Sequence, residues 1–101
     1  MDIIKKMNQT EKEKALLLTQ VAELYKNMAD IENEKMFFNI SGQISVIMIT
    51  CCLLAKRYGI NCNVIKKMID KQIRLYLCDE NSSDELVSDL QEVRELFVHD
   101  D

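Results

Sequence analysis

The stretch from Ile44 to Ala55 is apolar around its whole circumference when it is drawn as a helix. A helix that is apolar on all sides must be surrounded on all sides. Three short partner helices in a chain of 101 residues can hardly surround it, so we expect it at the centre of the fold, partly buried against a second copy of the chain. The residues expected in the core or the oligomer interface are Ile44, Ile47, Met48, Cys51 and Leu54. The alternative is a monomer with a patchy, exposed apolar face.

Residues that interrupt helices are scarce. The chain has no proline and two glycines, Gly42 and Gly59, which favours helices joined by short polar turns. Alternation of polar and apolar residues, as in β-strands, does not extend over any long segment. The sequence therefore predicts an all-α fold, a small bundle of about four helices that is completed by self-association as a dimer or higher homo-oligomer.

The first two helices have recognisable end signals. The first is predicted from about Glu11 to about Ile31, because Thr10 and Glu13 have the spacing of a capping box. The second is predicted from residue 41 to residue 58, with Gly59 as its C-terminal cap.

The last two helices are shorter. The third is predicted to begin after Asn61 or Asn63, either of which can cap it. The polar turn "CDENSS" then leads to a fourth helix with a second capping box at Ser82 and Glu85. Its apolar residues form one narrow seam, which consists of Leu86, Leu90, Val93 and Phe97.

Charge divides the chain unevenly. Residues 1–78 hold 12 Lys/Arg and 8 Asp/Glu, whereas residues 79–101 hold 1 and 9, so the balances are +4 and −8. We interpret the first segment as the helical core and the second as an acidic C-terminal helix and tail of the same domain. The acidic tail would repel phosphates, which makes nucleic acid an unexpected partner.

The segment from Ile44 to Ala55 is shorter than the roughly 20 apolar residues that span a bilayer. No signal peptide precedes it. The four cysteines, Cys51, Cys52, Cys62 and Cys78, lack the spacing of a zinc site and are most simply small packing residues in a reducing compartment. We therefore expect a cytoplasmic protein without a membrane partner.

Three short patterns carry a resemblance to a known family. They are "LLTQVAELYK", "AKRYGIN" and "KQIRLY", and their order resembles that of the MazG-like all-α nucleoside triphosphate pyrophosphohydrolases. The similarity is to the short MazG-like proteins of Gram-positive bacteria and their phages, and it covers about residues 12–77. In "AKRYGIN" the family has a small residue, a basic or polar pair, leucine and Gly-Ile-Asp, and in "KQIRLY" it has Lys-Asn-x-x-Arg-Tyr.

The resemblance implies a magnesium site made of acids on two facing helices. The family carries Glu-Glu-x-x-Glu on the first helix and Glu-x-x-Asp on the second, because magnesium prefers carboxylate oxygens. Here the first motif falls on Thr19, Gln20 and Glu23, so only Glu23 is an acidic candidate ligand. The second falls on Gly42 and Ser45, or on Gln43 and Val46 in the register set by Ala55 and Gly59.

No Asp or Glu occurs between Lys35 and Asp70, so the expected acids of the second helix are missing. Gln43, Ser45 and Thr50 could be neutral relics that line a former site. Alternatively, they bond to a turn, a water or the helix backbone, as Ser and Thr often do. Acids among residues 30–34, namely Asp30, Glu32 and Glu34, could replace the missing ligands, or they could form a charged surface turn.

The third helix is basic on one face. The resemblance implies phosphate contacts from this segment, so Lys71 and Arg74 are the candidates for anion binding. The alternative is a solvated face that pairs with the acidic fourth helix.

These observations favour a MazG-like protein with degenerate metal-binding acids, a non-catalytic binding or regulatory module without a cofactor or catalytic residues. Its partner would be a nucleotide or a protein. One alternative is a divergent nucleoside triphosphate pyrophosphohydrolase that uses magnesium. Another is a small helical inhibitor, of phage or host, that acts through protein contacts.

Overall fold

The computed structural model describes residues 2–29 and 34–98, and the side chains of residues 2–29 and 38–97. Four helices make up the described residues: α1 (Ile3–Met28), α2 (Glu34–Arg57), α3 (Cys62–Leu77) and α4 (Asp84–Val98). The prediction of an all-α fold is confirmed. Contacts divide the chain into two units, Met1–Gly59 and Ile60–Asp101, each a pair of packed helices. The assignment of residues 1–78 and 79–101 to one domain stays a prediction.

Helix α1 begins eight residues earlier than its predicted start at Glu11. Asp2 caps it, because its carboxylate accepts a hydrogen bond of 3.2 Å from the amide of Ile4. The proposed capping box is therefore wrong: Thr10 lies inside the helix and donates to the carbonyl of Lys6 at 2.8 Å. The segment before Thr10 contains no proline or glycine, so nothing prevents the helix from extending to Asp2.

Helices α1 and α2 form an antiparallel hairpin. Glu13 in the first half of α1 bonds to Arg57, the last residue of α2, at 2.6 Å, while only residues 29–33 connect the other ends. The less exposed residues of each helix recur at alternating steps of three and four, the spacing of a coiled-coil contact. We call these residues the seam: Thr10, Glu13, Leu17, Gln20, Leu24 and Asn27 of α1, with Ile40, Gln43, Ile47, Thr50, Leu54 and Arg57 of α2.

The seam is unusually polar for a contact between two helices. Glu13 and Thr50 are 4% and 3% exposed, and they are the buried polar residues of the described chain. In contrast, Ala55 and Ile73 are the buried hydrophobic residues of the same ranges. A chain in which 48% of residues are hydrophobic thus keeps most of its described apolar side chains on the surfaces of the hairpins.

Helix α2 begins at Glu34, before the predicted start at residue 41, and it ends at Arg57, one residue before the predicted end at residue 58. Gly59 has a φ of +74°, and its amide bonds to the carbonyl of Lys56 at 3.0 Å. This left-handed residue stops the helix, so the predicted C-terminal cap is confirmed.

Helices α3 and α4 form the second unit. Asn61 caps α3 by accepting a hydrogen bond of 2.8 Å from the amide of Asn63, as one of the two predicted alternatives. At the start of α4, Ser83 is the cap, because its hydroxyl accepts from the amide of Leu86 at 3.1 Å. The proposed capping box is wrong here too, since Ser82 donates to the carbonyl of Tyr76 instead.

The face of α4 that packs in its unit differs in part from the apolar face predicted for the fourth helix. Leu90 and Phe97 are partly buried as expected, but Leu86 and Val93 are 42% and 43% exposed. Val87 and Arg94 lie at the partly buried positions instead. The face is rotated by about one residue because Arg94 reaches α3, where it bonds to Asp70 at 2.6 Å.

One segment of the described residues, Phe38–Arg57, is long and apolar enough to cross a membrane by length and composition. The prediction of a stretch too short to span considered Ile44 to Ala55 alone, and the continuous helix is longer. Length and composition do not place a helix in a membrane, because the central helix of a soluble assembly has the same properties.

Replacing each glycine by alanine should have opposite effects on stability, because Gly59 caps α2 and Gly42 lies inside it. Gly59→Ala should lower the free energy of unfolding by about 1–2 kcal/mol, since a side chain at positive φ is strained. Gly42→Ala should raise it by about 0.5–1 kcal/mol, because Gly42 is inside α2 and a Cβ there meets nothing within 4 Å. Chemical denaturation of both variants measures this, and equal effects would contradict the assignment of Gly59 as a cap.

Removal of the buried acid should destabilise the α1–α2 hairpin. Glu13→Ala leaves Arg57 partly buried without its partner, and we expect a loss of about 2–3 kcal/mol. Glu11→Ala is the control, because Glu11 and its partner Lys14 have side chains that are 71% and 47% exposed, and exposed ion pairs contribute little to stability. Thermal and urea unfolding followed by circular dichroism would show the difference. Similar losses in both variants would refute a role of Glu13 in holding the hairpin.

Candidate functional site

Two glutamines of the seam fall at positions where the family that the sequence resembles carries magnesium-binding acids. Gln20 of α1 and Gln43 of α2 are both partly buried. Both side chains lie in the seam, one on each of the two packed helices.

The carbonyl oxygens of these glutamines have no hydrogen-bond partner. Among the described side chains, the buried atoms without a partner are Oε1 of Gln20, Oε1 of Gln43 and Oε2 of Glu13. All three are acceptors in the seam of one hairpin. A buried acceptor without a donor costs about 1–3 kcal/mol, so these positions are not optimised for the stability of the hairpin alone.

The most buried polar residues of the seam are Glu13 and Thr50. Each lies about two helical turns from the glutamine of its own helix. The Glu13 carboxylate bonds to the guanidinium of Arg57 through Oε1, and this ion pair neutralises the acid. The Thr50 hydroxyl donates to the carbonyl of Val46 at 2.9 Å, within its own helix.

The candidate ligand Glu23 is exposed on α1. The second acid motif of the family can be aligned in two ways. In one alignment it falls on Gly42 and Ser45, which are exposed, and in the other its first position is Gln43, which lies in the seam. The Ser45 hydroxyl donates to the carbonyl of Ser41 at 2.8 Å. Ser45 and Thr50 therefore bond to the helix backbone, as one of the two sequence interpretations expects, and Gln43 is the relic candidate that faces α1.

The donor set of this site does not fit magnesium. No group of three or more His, Cys, Asp or Glu that could hold a metal ion occurs in the described part of the chain. The seam offers neutral amide oxygens and an acid already paired with arginine. The other acids named above lie outside the described side chains, namely Asp30, Glu32 and Glu34.

Of the two residues predicted to bind anions, Lys71 and Arg74, the second forms an ion pair within α3. Arg74 bonds to Asp70 at 2.9 Å, and the same carboxylate bonds to Arg94 of α4. The charge of Arg74 is therefore largely compensated, while Lys71 is exposed. The contact between Asp70 and Arg94 has the opposite sense to the expected pairing of a basic α3 with an acidic α4, because its acid is on α3 and its base on α4.

The residues expected in the core or the oligomer interface fall on two sides of α2. Ile47 and Leu54 are in the seam and face α1, whereas Ile44, Met48 and Cys51 are exposed. All four cysteines are exposed, so the expectation that they pack in the interior is not met within the single chain.

The sequence model of the MazG-like family matches residues 3–90. The chain belongs to the MazG-like family. This match extends beyond the roughly 66 residues over which the motifs alone carry the resemblance, and it includes α1, α2, α3 and the start of α4. No curated protein and no solved structure matches the chain.

Sequence reasoning missed the ion pair between Glu13 and Arg57 in this MazG-like hairpin. It assigned Glu13 to a helix cap and Arg57 to a helix end, and it did not place Gln20 and Gln43 in one seam. The steps of three and four from Thr10 to Asn27 could have found this face. They were not recognised because polar residues at contact positions break the expected apolar pattern.

Replacement of both seam amides by leucine should stabilise the hairpin. Gln20→Leu/Gln43→Leu removes two buried acceptors without partners, and we expect the free energy of unfolding to rise by about 1–3 kcal/mol. Gln9→Leu is the matched control, since Gln9 is exposed on α1 and should change stability by less than about 0.5 kcal/mol. Urea denaturation measures both. Destabilisation by the double substitution would show that the amides have donors in the assembled protein.

Proposed function

We propose that this MazG-like protein is a non-catalytic binding or regulatory module that has lost metal-dependent nucleotide hydrolysis. The observation that supports this function most is that the seam holds the neutral amides of Gln20 and Gln43, with their oxygens unpartnered, at two of the motif positions where the family carries acids. Hydrolysis between nucleotide phosphates requires divalent metal ions that neutralise the phosphate charge and orient the attacking water. Carboxylates hold such ions, and amide oxygens are weaker ligands because they carry no charge.

The remaining acids near the seam do not replace the missing ligands. Glu13 is buried, but its ion pair with Arg57 at 2.6 Å leaves little net negative charge for a cation. Glu23 is a single exposed carboxylate, and hydration of magnesium competes effectively with so few protein ligands. Helix α2 supplies no acid after Glu34.

A nucleotide partner, if one binds, would contact the protein without a protein-held metal. The ion pairs of Asp70 with Arg74 and Arg94 reduce the attraction of phosphate to this part of α3. Lys71 is the remaining candidate of the predicted pair, and a lysine exposed to solvent gives modest affinity by itself. These contacts favour a protein partner over a tightly bound nucleotide.

Hydrolysis assays test the loss of activity directly. The full-length chain, with a panel of nucleoside triphosphates and either magnesium or manganese, should release no pyrophosphate above the uncatalysed rate. Glu23→Gln should therefore change neither the rate nor, by more than about 0.5 kcal/mol, the stability. Turnover that disappears in Glu23→Gln would refute the proposal and would indicate that acids among residues 30–34 complete a site.

Restoring acids in the seam tests whether it is a former metal site. Gln20→Glu/Gln43→Glu/Val46→Asp returns three of the four missing acids of the family motifs, all but the one at Thr19, and repulsion between them should destabilise the metal-free protein. Magnesium at 100 times its dissociation constant should then stabilise the variant by about 2.7 kcal/mol. Asn8→Asp/Gln9→Glu/Asn39→Asp is the control, because it adds equal charge at exposed positions. No difference in magnesium response between the variants would contradict a former metal site here.

A further inference from the structure

Helix α4 has a second row of apolar residues beside the face that packs in its unit. The partly buried residues recur at steps of three, four and three, namely Val87, Leu90, Arg94 and Phe97. The row one position earlier has the same spacing, and we call it the outer row. It consists of Leu86, Asp89, Val93 and Leu96. Its three apolar members are 42%, 43% and 70% exposed, in that order, so α4 presents an exposed apolar face in addition to its packed one.

Helix α3 continues this exposed face on its side of the pair. The two helices are antiparallel, because residues 78–83 connect them and Asp70 bonds to Arg94 at 2.6 Å. At about 100° per residue, Arg94 is at the edge of the packed face of α4 that is remote from the outer row. Asp70 marks the same edge on α3, so Met68 and Tyr76, beyond the other edge, lie on the side of the outer row. They are 46% and 58% exposed, and with the outer row they form what we call the outer groove.

Acids surround the apolar residues of α4 on this face. Among the described side chains, the lining of one concave surface consists of Asp89, Glu92, Val93, Glu95 and Leu96. Three of these five residues are carboxylates and two are apolar. The single base of the helix, Arg94, is at the other edge and is paired with Asp70. Together with the balance of −8 over residues 79–101, this makes the surface both apolar and strongly negative.

We propose that the outer groove binds a basic amphipathic helix of another protein, which lies as a third helix beside α3 and α4. This inference rests on the proposed function of a binding module and specifies its partner. Apolar side chains of the partner, at steps of three and four, would cover the outer row, as in other complexes in which a helix lies in a groove. Its lysines or arginines would lie near the carboxylates of α4, which speeds association and fixes the orientation of the partner.

The charge of the groove favours a partner of opposite sign over the same surface of a second copy. Two outer grooves packed on each other would bring the acids of both copies together, and like charges across an interface oppose association. The carboxylates Asp89, Glu92 and Glu95 are exposed, so a basic partner could neutralise them without breaking an ion pair that the described residues already make.

The size of the groove indicates a weak and reversible complex. Helices α3 and α4 have 16 and 15 residues and are about 22–24 Å long, and two helix diameters make the pair about 20 Å wide. The surface therefore offers roughly 450 Å², about half of the approximately 800 Å² per partner of a standard interface. We expect a dissociation constant in the micromolar range.

A designed peptide tests the charge preference of the full-length chain. The probe is a fluorescein-labelled helix of about 16 residues, with leucines at steps of three and four and with alanine and lysine elsewhere. Fluorescence polarisation should show micromolar binding. The same peptide with glutamate in place of every lysine should bind at least about 30-fold more weakly. No binding of the lysine peptide, or equal binding of the two peptides, would overturn the proposal.

Matched valines test where the peptide binds. Val93→Lys in the outer groove should weaken binding of the lysine peptide at least about 30-fold, because the interface would bury an unpaired charge. Val21→Lys on α1 is the control, since Val21 and Val93 are 46% and 43% exposed and both variants gain one positive charge. It should change the dissociation constant by less than about threefold. Equal effects of the two variants would show that the peptide binds elsewhere and would contradict the assignment.

Oxidation of methionine provides a measurement that needs no variant. Met68 is in the outer groove, and Met28 on α1 is the internal control, because the two are 46% and 45% exposed. Saturating lysine peptide should slow the oxidation of Met68 by hydrogen peroxide at least about fivefold and leave the rate at Met28 unchanged, as measured by peptide mass spectrometry. Met68 that is already protected without peptide, relative to the chain in urea, would show that the protein itself or a second copy covers the groove. That result would also overturn the proposal.

The failure of this inference and that of the proposed function are distinguishable. Absence of peptide binding, in a chain that releases no pyrophosphate from nucleotides, would overturn the outer groove as a binding site and leave the loss of hydrolysis standing. Turnover of a nucleotide would refute the proposed function, whatever the peptide does.

Discussion

The contact between α1 and α2 depends on the ion pair between Glu13 and Arg57. Its Nε–Oε1 distance is 2.6 Å and the carboxylate is 4% exposed, so the hairpin buries an acid that must have a partner. The partner comes from the far end of α2, so the pair fixes the direction of the second helix and the register of the seam. A shift of α2 by one turn would separate the two side chains and leave both charges poorly compensated.

A seam of this kind contributes less apolar burial than an ordinary helical pair. Four of its members are polar, namely Glu13, Gln20, Gln43 and Thr50, whereas the exposed sides of the same helices carry leucine, valine, isoleucine and methionine. Much of the apolar area that stabilises most small proteins is therefore on the outside of this hairpin. The homo-oligomer expected from the sequence would cover such a surface, and this assembly stays a prediction.

Much of the architecture could be predicted from the sequence. The absence of proline gave the all-α class, and Gly59 and Asn61 marked their helix ends because positive φ and an Asn cap have strong local preferences. The starts of α1 and α2 were missed, because capping-box spacing at Thr10 and Glu13 also fits a helix interior. At the candidate site, the missing acids of α2 were visible in the sequence, but the pairing of Glu13 with Arg57 joins residues 44 positions apart. Such a pair depends on how the helices pack, which no local pattern contains.

The two bonds of Asp70 have a consequence for α4. One of them engages Arg94, the single basic residue of that helix. The acids of α4 all remain exposed, namely Asp84, Glu85, Asp89, Glu92 and Glu95. The first two favour the helix, because they are near its positive end, but the other three repel one another at steps of three. Without contacts to α3, this helix would have little tendency to form. It should therefore open before the rest of its unit in hydrogen exchange, and dissolved salt should slow that opening by screening the repulsion.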